Sequence, residues 1–371
     1  MTEPALPRSD DQAEPRRSGR LRQALRVVVS LALAGAIFAY VLGSAADFSE
    51  VSAAISSMTG LELLTLGLIA VWNLATYWMV VVAATPGLTY PQSAVLVQST
   101  TAVANSVPGG SAVAVGLTYA MLGSWGFSRS RSTLSVIVSG LWNNFAKLGL
   151  PVLALALLAL QGDLNGARVT AGVFGIGALV GSIAVFTLIL RRESFARRAG
   201  DGAAAWVSRL RRRLGKGPVE GWGDATAKFR GRTIGLVSHA WKRLTVATIV
   251  SHLSLFAVLL MALRHIGVAN AEVHWAQVLA VFAFVRLLTA IPITPGGLGV
   301  VELGLIAGLT TAGGAEAQVV AAVLIFRGLT YLLPIPLGLL TYLFWRRNTS
   351  WRNSAPPLSP GLAPEPAPAG G

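Results

Sequence analysis

The sequence predicts an all-α polytopic integral membrane protein, with six full transmembrane helices and two oppositely oriented helical hairpins, re-entrant or short-spanning, arranged as an inverted repeat. Three observations predict it. Of the 371 residues, 53% are hydrophobic and only 12% charged, against roughly 25% charge in a soluble domain. The basic residues are confined to alternate loops. A Pro-Gly-Gly breaker occurs twice inside apolar sequence, at Pro108-Gly109-Gly110 and at Pro295-Gly296-Gly297.

Each element follows in chain order. Residues 1–20 are rich in Pro, Ser and charge and are expected to be a disordered cytoplasmic leader. An apolar run at 27–46 is the first span. It ends in Gly43-Ser44-Ala45-Ala46, a stretch of the kind cleaved in signal peptides, but the polar leader is long for one and the run is read as retained. Further stretches of spanning length, about 17 to 25 residues, are predicted at 61–84, 133–160, 169–190, 244–264 and 319–343. Between them lie two pairs of shorter arms, 92–105 with 111–123 and 275–291 with 298–312. The last residues, 346–371, are a Pro-rich cytoplasmic tail expected to be disordered.

Charge orients these elements, because basic residues close to a span mark the cytoplasmic side. Of 30 Lys and Arg, 25 fall in the N-terminal stretch up to Arg26, at Arg129 and Arg131, in the 191–243 loop, or at Arg346, Arg347 and Arg352. The intervening loops carry Asp47, Glu50, Asp163, Glu272 and Glu316, with Arg168 as an exception. The chain is then one domain over 21–345, with a first repeat at 61–160 and a second, of opposite topology, at 244–343. The first hairpin opens from the cytoplasm and the second from outside. Inverted repeats with broken helices that meet near the midplane are a common transporter build.

The breakers explain why the arms are short. Proline lacks an N–H and stops the preceding helix, and glycine permits positive φ and close backbone approach. Such a turn within a bilayer requires surrounding protein or a water-filled cavity. The arm after each turn presents the positive end of its dipole to the membrane interior, where a phosphate or carboxylate is favoured. Pro108, Gly109, Gly110, Pro295, Gly296, Gly297 and Gly299 are therefore candidate substrate-binding positions. A single such tripeptide would be read as an ordinary kink or packing site; two in opposed hairpins are not.

Polar groups at membrane depth are costly, so they point to sites. Lys147, Arg286, Glu302 and Arg327 lie in apolar segments, with Asn143, Asn144, Gln98, Thr101 and Asn105 near them. Gln98, Thr101 and Asn105 share a helical face by their three- and four-residue spacing. The set describes a wet, net cationic lining with one carboxylate. Arg286 is equally well read as lying near the outer surface, and a structural Glu302–arginine pair is the competing account of the charges.

Other chemistry is not supported. There is no cysteine, and His239, His252, His265 and His274 lack metal spacing and read as interfacial. No nucleophile–base pair, nucleotide fingerprint or metal set stands out, so no enzymatic activity, cofactor or metal is expected. The net charge of +14 sits in membrane-flanking loops and indicates anionic lipid, not nucleic acid. In the 191–243 loop, Trp206, Val207, Leu210 and Leu214 form an apolar stripe flanked by arginines, compatible with an interfacial helix or with a solvated basic loop.

One resemblance is specific. The run from Ile291 through Pro295-Gly-Gly-Leu-Gly299 to Glu302, followed by Arg327-Gly-Leu-Thr-Tyr331 and Pro334, resembles the flippase-like transmembrane region of lysylphosphatidylglycerol synthases and of stand-alone bacterial proteins of that family. The resemblance implies a bacterial inner-membrane module that moves a phospholipid or lipid-linked headgroup between leaflets, with re-entrant helices around a cavity. It puts Pro295, Gly296, Gly297, Gly299, Glu302 and Arg327 among the functional positions. The first hairpin departs from the family pattern, since Gly110–Tyr119 carries no charge and Lys147 is the nearest cation. The sequence ends soon after the last span, so no aminoacyl-transferase domain is expected.

Two functions follow. A lipid flippase or transporter predicts an open, hydrated groove between the hairpins. A non-catalytic membrane partner of a cell-envelope enzyme predicts charges paired in a dry core.

Overall fold

The structure, a computed structural model, describes residues 48–106, 109–162, 166–213, 217–218, 221–289 and 294–354. The expected first span at 27–46, Pro108, Ile291–Ile293 and most of both termini lie outside the described residues.

The described chain is helical throughout. Its elements are α1 (Phe48–Ser56), α2 (Gly60–Ala84), α3 (Tyr90–Ser106), α4 (Gly110–Ser124), α5 (Arg129–Leu160), α6 (Gly166–Arg191), α7 (Glu193–Arg213) and α8 (Trp222–His265). Then come α9 (Trp275–Leu288), a 3₁₀ turn (Pro295–Gly297), α10 (Val300–Thr311), α11 (Glu316–Arg327), a π-turn (Gly328–Leu332) and α12 (Pro334–Arg347). Five stretches are long and apolar enough to cross a membrane: α2, α5, α6, α8 and the near-continuous 316–347. These helices fit a polytopic membrane protein, and the expected span at 27–46 lies outside the described residues.

Two boundaries differ from expectation. The span read at 244–264 is the end of a 44-residue helix, α8, about 66 Å long by helical rise and far beyond a hydrocarbon core of about 30 Å. Its first half is charged, so hydropathy alone could not see that the helix continues. Much of the 191–243 loop is accordingly helical, with α7 packed along the start of α8. Arg197 joins them, pairing with Glu193 at 3.0 Å and with Asp224. These hydrogen bonds and charges, that to Glu193 first, raise the Arg197 pKa.

The second difference is in the last span, which is interrupted. Pro334 has no N–H to donate back along the helix, and the turn before it, Gly328–Leu332, is wound as π-helix. Beyond α12, Trp351 packs edge-on against Trp125 with ring centroids 6.0 Å apart, and Asn353 N–H donates to the Ser124 carbonyl.

The packing pairs the two halves of the chain reciprocally. α2 lies along α8, α3 packs on α12, and α9 packs on α5. Each hairpin's first arm therefore rests on the closing helix of the other half. The largest apolar core is built from α8, α9, α10 and α11, with α2 and α5 at its edge. A second core holds α3 and α4 around the fully buried Met121 and Leu122. Close contact fixes both joints: a Cβ at Gly338 on α12 would overlap the α3 backbone at Gln98, and one at Gly110 would strike the α3 carbonyls of Val103 and Ala104.

Candidate functional site

The second breaker meets the end of the first hairpin's leading arm. The 3₁₀ turn at Pro295–Gly297 contacts α3 of the first hairpin, and Gly296 takes φ 58°, Gly297 φ 72° and Gly299 φ 79°. These positive values favour glycine. In the first hairpin Gly109 has φ 67° and precedes α4 directly. The chain thus reverses twice through left-handed glycines, as the Pro-Gly-Gly spacing indicated.

Around the second turn Glu302 and Arg327 form a hydrogen-bonded network. Arg327 Nε donates to Glu302 Oε1 at 2.7 Å, and Arg327 Nη2 donates to the Gly296 carbonyl at 3.2 Å. The other carboxylate oxygen, Oε2, accepts from the Gly299 N–H at 2.8 Å. Glu302 and Arg327 are 1% and 5% exposed, so this is a buried, charge-assisted network. Its guanidinium also lies 4.4 Å from the centre of the Tyr331 ring. Tyr331 in turn reaches the first hairpin: its hydroxyl donates to the Asn105 carbonyl at 2.6 Å, and Asn105 Nδ2 donates to the Tyr331 carbonyl at 3.1 Å.

Beside this network is a cavity of about 270 Å³. Thr101, Asn105 and Ser111 line it from the first hairpin, Gly296, Gly297 and Val301 from the second, and Lys147, Arg286 and Arg327 supply charge. The N-terminal ends of α4 and α10 both reach it, through Ser111 and Val301. No carboxylate lines it among the described residues, because Glu302 is turned away into its pair. Lys147, 8% exposed, points across to α9 and donates to the Thr289 carbonyl at 3.4 Å. Thr289 caps the C-terminal, negative end of α9, which favours a cation. The cavity lies between the hairpins and is lined by cations, while Glu302, expected as the one carboxylate of its lining, is not among the residues that line it.

A family model described as the lysylphosphatidylglycerol synthase TM region matches residues 24–338. The chain belongs to that family. No curated protein matches it. The family match runs from before the first described helix into α12, so it takes in both hairpins and every residue of the cavity.

Within this family member the predicted positions divide. Thr101, Asn105, Lys147, Gly296, Gly297 and Arg327 line the cavity. Gln98 and Asn143 line a neighbouring chamber that shares Thr101 and Arg286 with it. Glu302 and Gly299 hold the turn without lining either space. Gly109 and Gly110 shape the first turn, while Asn144 is exposed and lines neither space. Pro108 lies outside the described residues, and nothing is described of the Pro295 side chain.

Sequence reasoning missed several groups. Tyr331 enters the sequence reading only within a motif, although an aromatic hydroxyl four residues after a buried arginine can share its surroundings. His252 was read as interfacial; it is 5% exposed, well inside α8. Arg286, read as equally at home near the surface, faces both spaces. Asn73 on α2 was overlooked and donates to Ser254 Oγ at 2.8 Å.

Proposed function

We propose that this membrane protein moves an anionic phospholipid, or an anionic lipid-linked headgroup, between the leaflets of the bacterial inner membrane. The observation that carries the reading is the cavity between the two hairpins, lined by three cations and no carboxylate among the described residues. A negatively charged headgroup is stabilised there by Lys147, Arg286 and Arg327 and by the positive ends of α4 and α10. The family membership supports a membrane lipid as the thing handled.

In this reading the hairpins are re-entrant and enter from opposite faces, with the termini cytoplasmic. The reciprocal packing of α3 on α12 and α9 on α5 is what an inverted repeat produces, and the alternation of basic and acidic loops supports the orientation. Chain reversals of this kind are tolerated in a bilayer because protein and a polar cavity surround them. The protein acts by providing a route and forms no covalent intermediate.

One observation favours a second reading, a non-catalytic partner of a cell-envelope enzyme. The Glu302–Arg327 pair is buried, with both carboxylate oxygens and two guanidinium nitrogens hydrogen-bonded, as in a structural pair. Reconstitution separates the two. Purified protein in vesicles with a labelled anionic lipid is expected to speed its leaflet exchange, and the joint replacement Glu302→Ala with Arg327→Ala is expected to abolish that. Exchange at the rate of protein-free vesicles with the unaltered chain would favour the partner reading.

A further inference from the structure

Behind the hairpin cavity lies the second chamber, about 210 Å³. It is lined by Asn73, Tyr77, Gln98, Asn143, His252 and Arg286, among others. Four buried side-chain atoms around it have no hydrogen-bond partner among the described residues: Gln98 Nε2, Gln98 Oε1, His252 Nε2 and Arg286 Nε. Gln98 is 4% exposed and His252 5%. Buried polar groups are normally paired, and leaving them unpaired is unfavourable. Several together around one space point to a polar ligand.

The chemistry of that ligand can be read from the atoms. His252 Nδ1 lies 3.0 Å from the Thr248 carbonyl. A carbonyl only accepts, so Nδ1 bears the hydrogen and the neutral ring's Nε2 is an acceptor. Arg286 Nε and Gln98 Nε2 are donors, the first on a permanent cation. The chamber therefore asks for an oxyanion that also carries a hydrogen, such as a phosphate ester bearing its own hydroxyl.

His252 borders a second space as well. It lines an apolar groove of about 940 Å³ between α5, α6 and α8, with Trp142, Phe145 and Phe186 in its walls and Arg191 at one end. That volume is in the range of ligand-binding clefts, about 300–1,000 Å³. His252 lines both spaces, and Trp142 lines the groove while its neighbour Asn143 lines the chamber, so these parts of α5 and α8 form the partition between them. The Thr248 hydroxyl, on the groove wall one helical turn before His252, is also buried without a partner.

The geometry points to a phosphate-bearing amphiphile bound across this partition, its phosphate in the chamber against Arg286 and Gln98 and its hydrocarbon chain in the α5–α6–α8 groove. The assignment deepens the lipid-handling reading and rests on it only for the presence of a lipid. It makes a binding claim, separate from movement between leaflets.

The test is equilibrium binding to the full chain in nanodiscs of zwitterionic lipid. The probes are a phosphatidic acid with a fluorescent tail, a diacylglycerol with the same tail, and inorganic phosphate as competitor. Phosphatidic acid is expected to bind and diacylglycerol to bind far less. Arg286→Gln and Gln98→Leu are each expected to weaken phosphatidic acid by about tenfold or more, as loss of a charge-assisted bond does. Ala146→Trp, which fills the groove, should weaken it as well. Phosphatidic acid should raise the thermal transition of the unaltered chain and not that of Gln98→Leu, whose own transition should not fall, since the change removes two unpartnered atoms. Equal binding of phosphatidic acid to Arg286→Gln and the unaltered chain overturns the assignment. So does Arg286-dependent binding of inorganic phosphate with Ala146→Trp leaving phosphatidic acid unaffected, which would mark a free-phosphate site. Binding as described with no leaflet exchange would overturn the transport reading and leave this site standing.

Discussion

Tyr331 and Asn105 hydrogen-bond each other twice, hydroxyl to carbonyl at 2.6 Å and amide to carbonyl at 3.1 Å. One lies in the π-turn of the last span and the other at the end of the first hairpin's leading arm, 226 residues apart. Tyr331 also covers the Arg327 guanidinium. The pair thus fastens the uncharged hairpin to the charged one at the cavity wall.

Removing the Tyr331 hydroxyl should loosen this fastening. Tyr331→Phe is expected to destabilise the protein by about 1 kcal/mol, the usual net worth of a hydrogen bond. Asn105→Ala should cost a similar amount, and the double variant less than the sum, because the residues are in contact. Thermal unfolding of the four proteins in one detergent measures the coupling.

The Glu302–Arg327 pair should respond non-additively. Glu302→Gln leaves a buried guanidinium without its counter-charge, and Arg327→Gln leaves a buried carboxylate; each is expected to cost about 3–5 kcal/mol. Glu302→Leu with Arg327→Met leaves no unpaired charge and should be milder than either single change. Denaturation in the same detergent checks the order of the variants.

Gly296 offers a sharper steric contrast. Alanine there would be strained at φ 58° and its Cβ would overlap the Tyr331 ring, so Gly296→Ala should lower stability by at least about 1 kcal/mol. Gly116→Ala meets nothing nearby and should be neutral or slightly stabilising, as expected in a helix. Paired melting curves decide it.

Lys147 tests selectivity and not folding. It makes one long bond, to the Thr289 carbonyl, so Lys147→Met should fold. It removes one of three cavity cations and is expected to slow exchange of an anionic lipid more than that of a zwitterionic one. Equal slowing of both would indicate a structural role.

The sequence revealed the features set by strong local chemistry. Pro-Gly-Gly stops a helix wherever it falls, so both reversals and their left-handed glycines were legible. Lys147 and Arg327 stood out because a cation in an apolar run needs a reason. What was hidden depends on tertiary surroundings. The first half of α8 is too charged to look like part of a span, yet helicity does not require an apolar residue at each position. His252 has the same sequence character as the interfacial histidines, and only the packing of α8 against α2 and α5 buries it. Glu302 was read as lining the site, but its short reach back to Gly299 N–H turns it into the wall. The π-turn before Pro334 was the one break with an available signal, since a proline within a span frees the carbonyls of the preceding turn.

The central claim is that the space between the hairpins is the route of an anionic lipid. Thr101 lines both the cavity and the chamber behind it, and tryptophan there would obstruct both. The most direct measurement is leaflet exchange of a labelled anionic phospholipid in vesicles containing Thr101→Trp, with the variant shown to be folded by its thermal transition. The account predicts exchange reduced to the rate of protein-free vesicles. Exchange by the folded variant as fast as by the unaltered chain would contradict it.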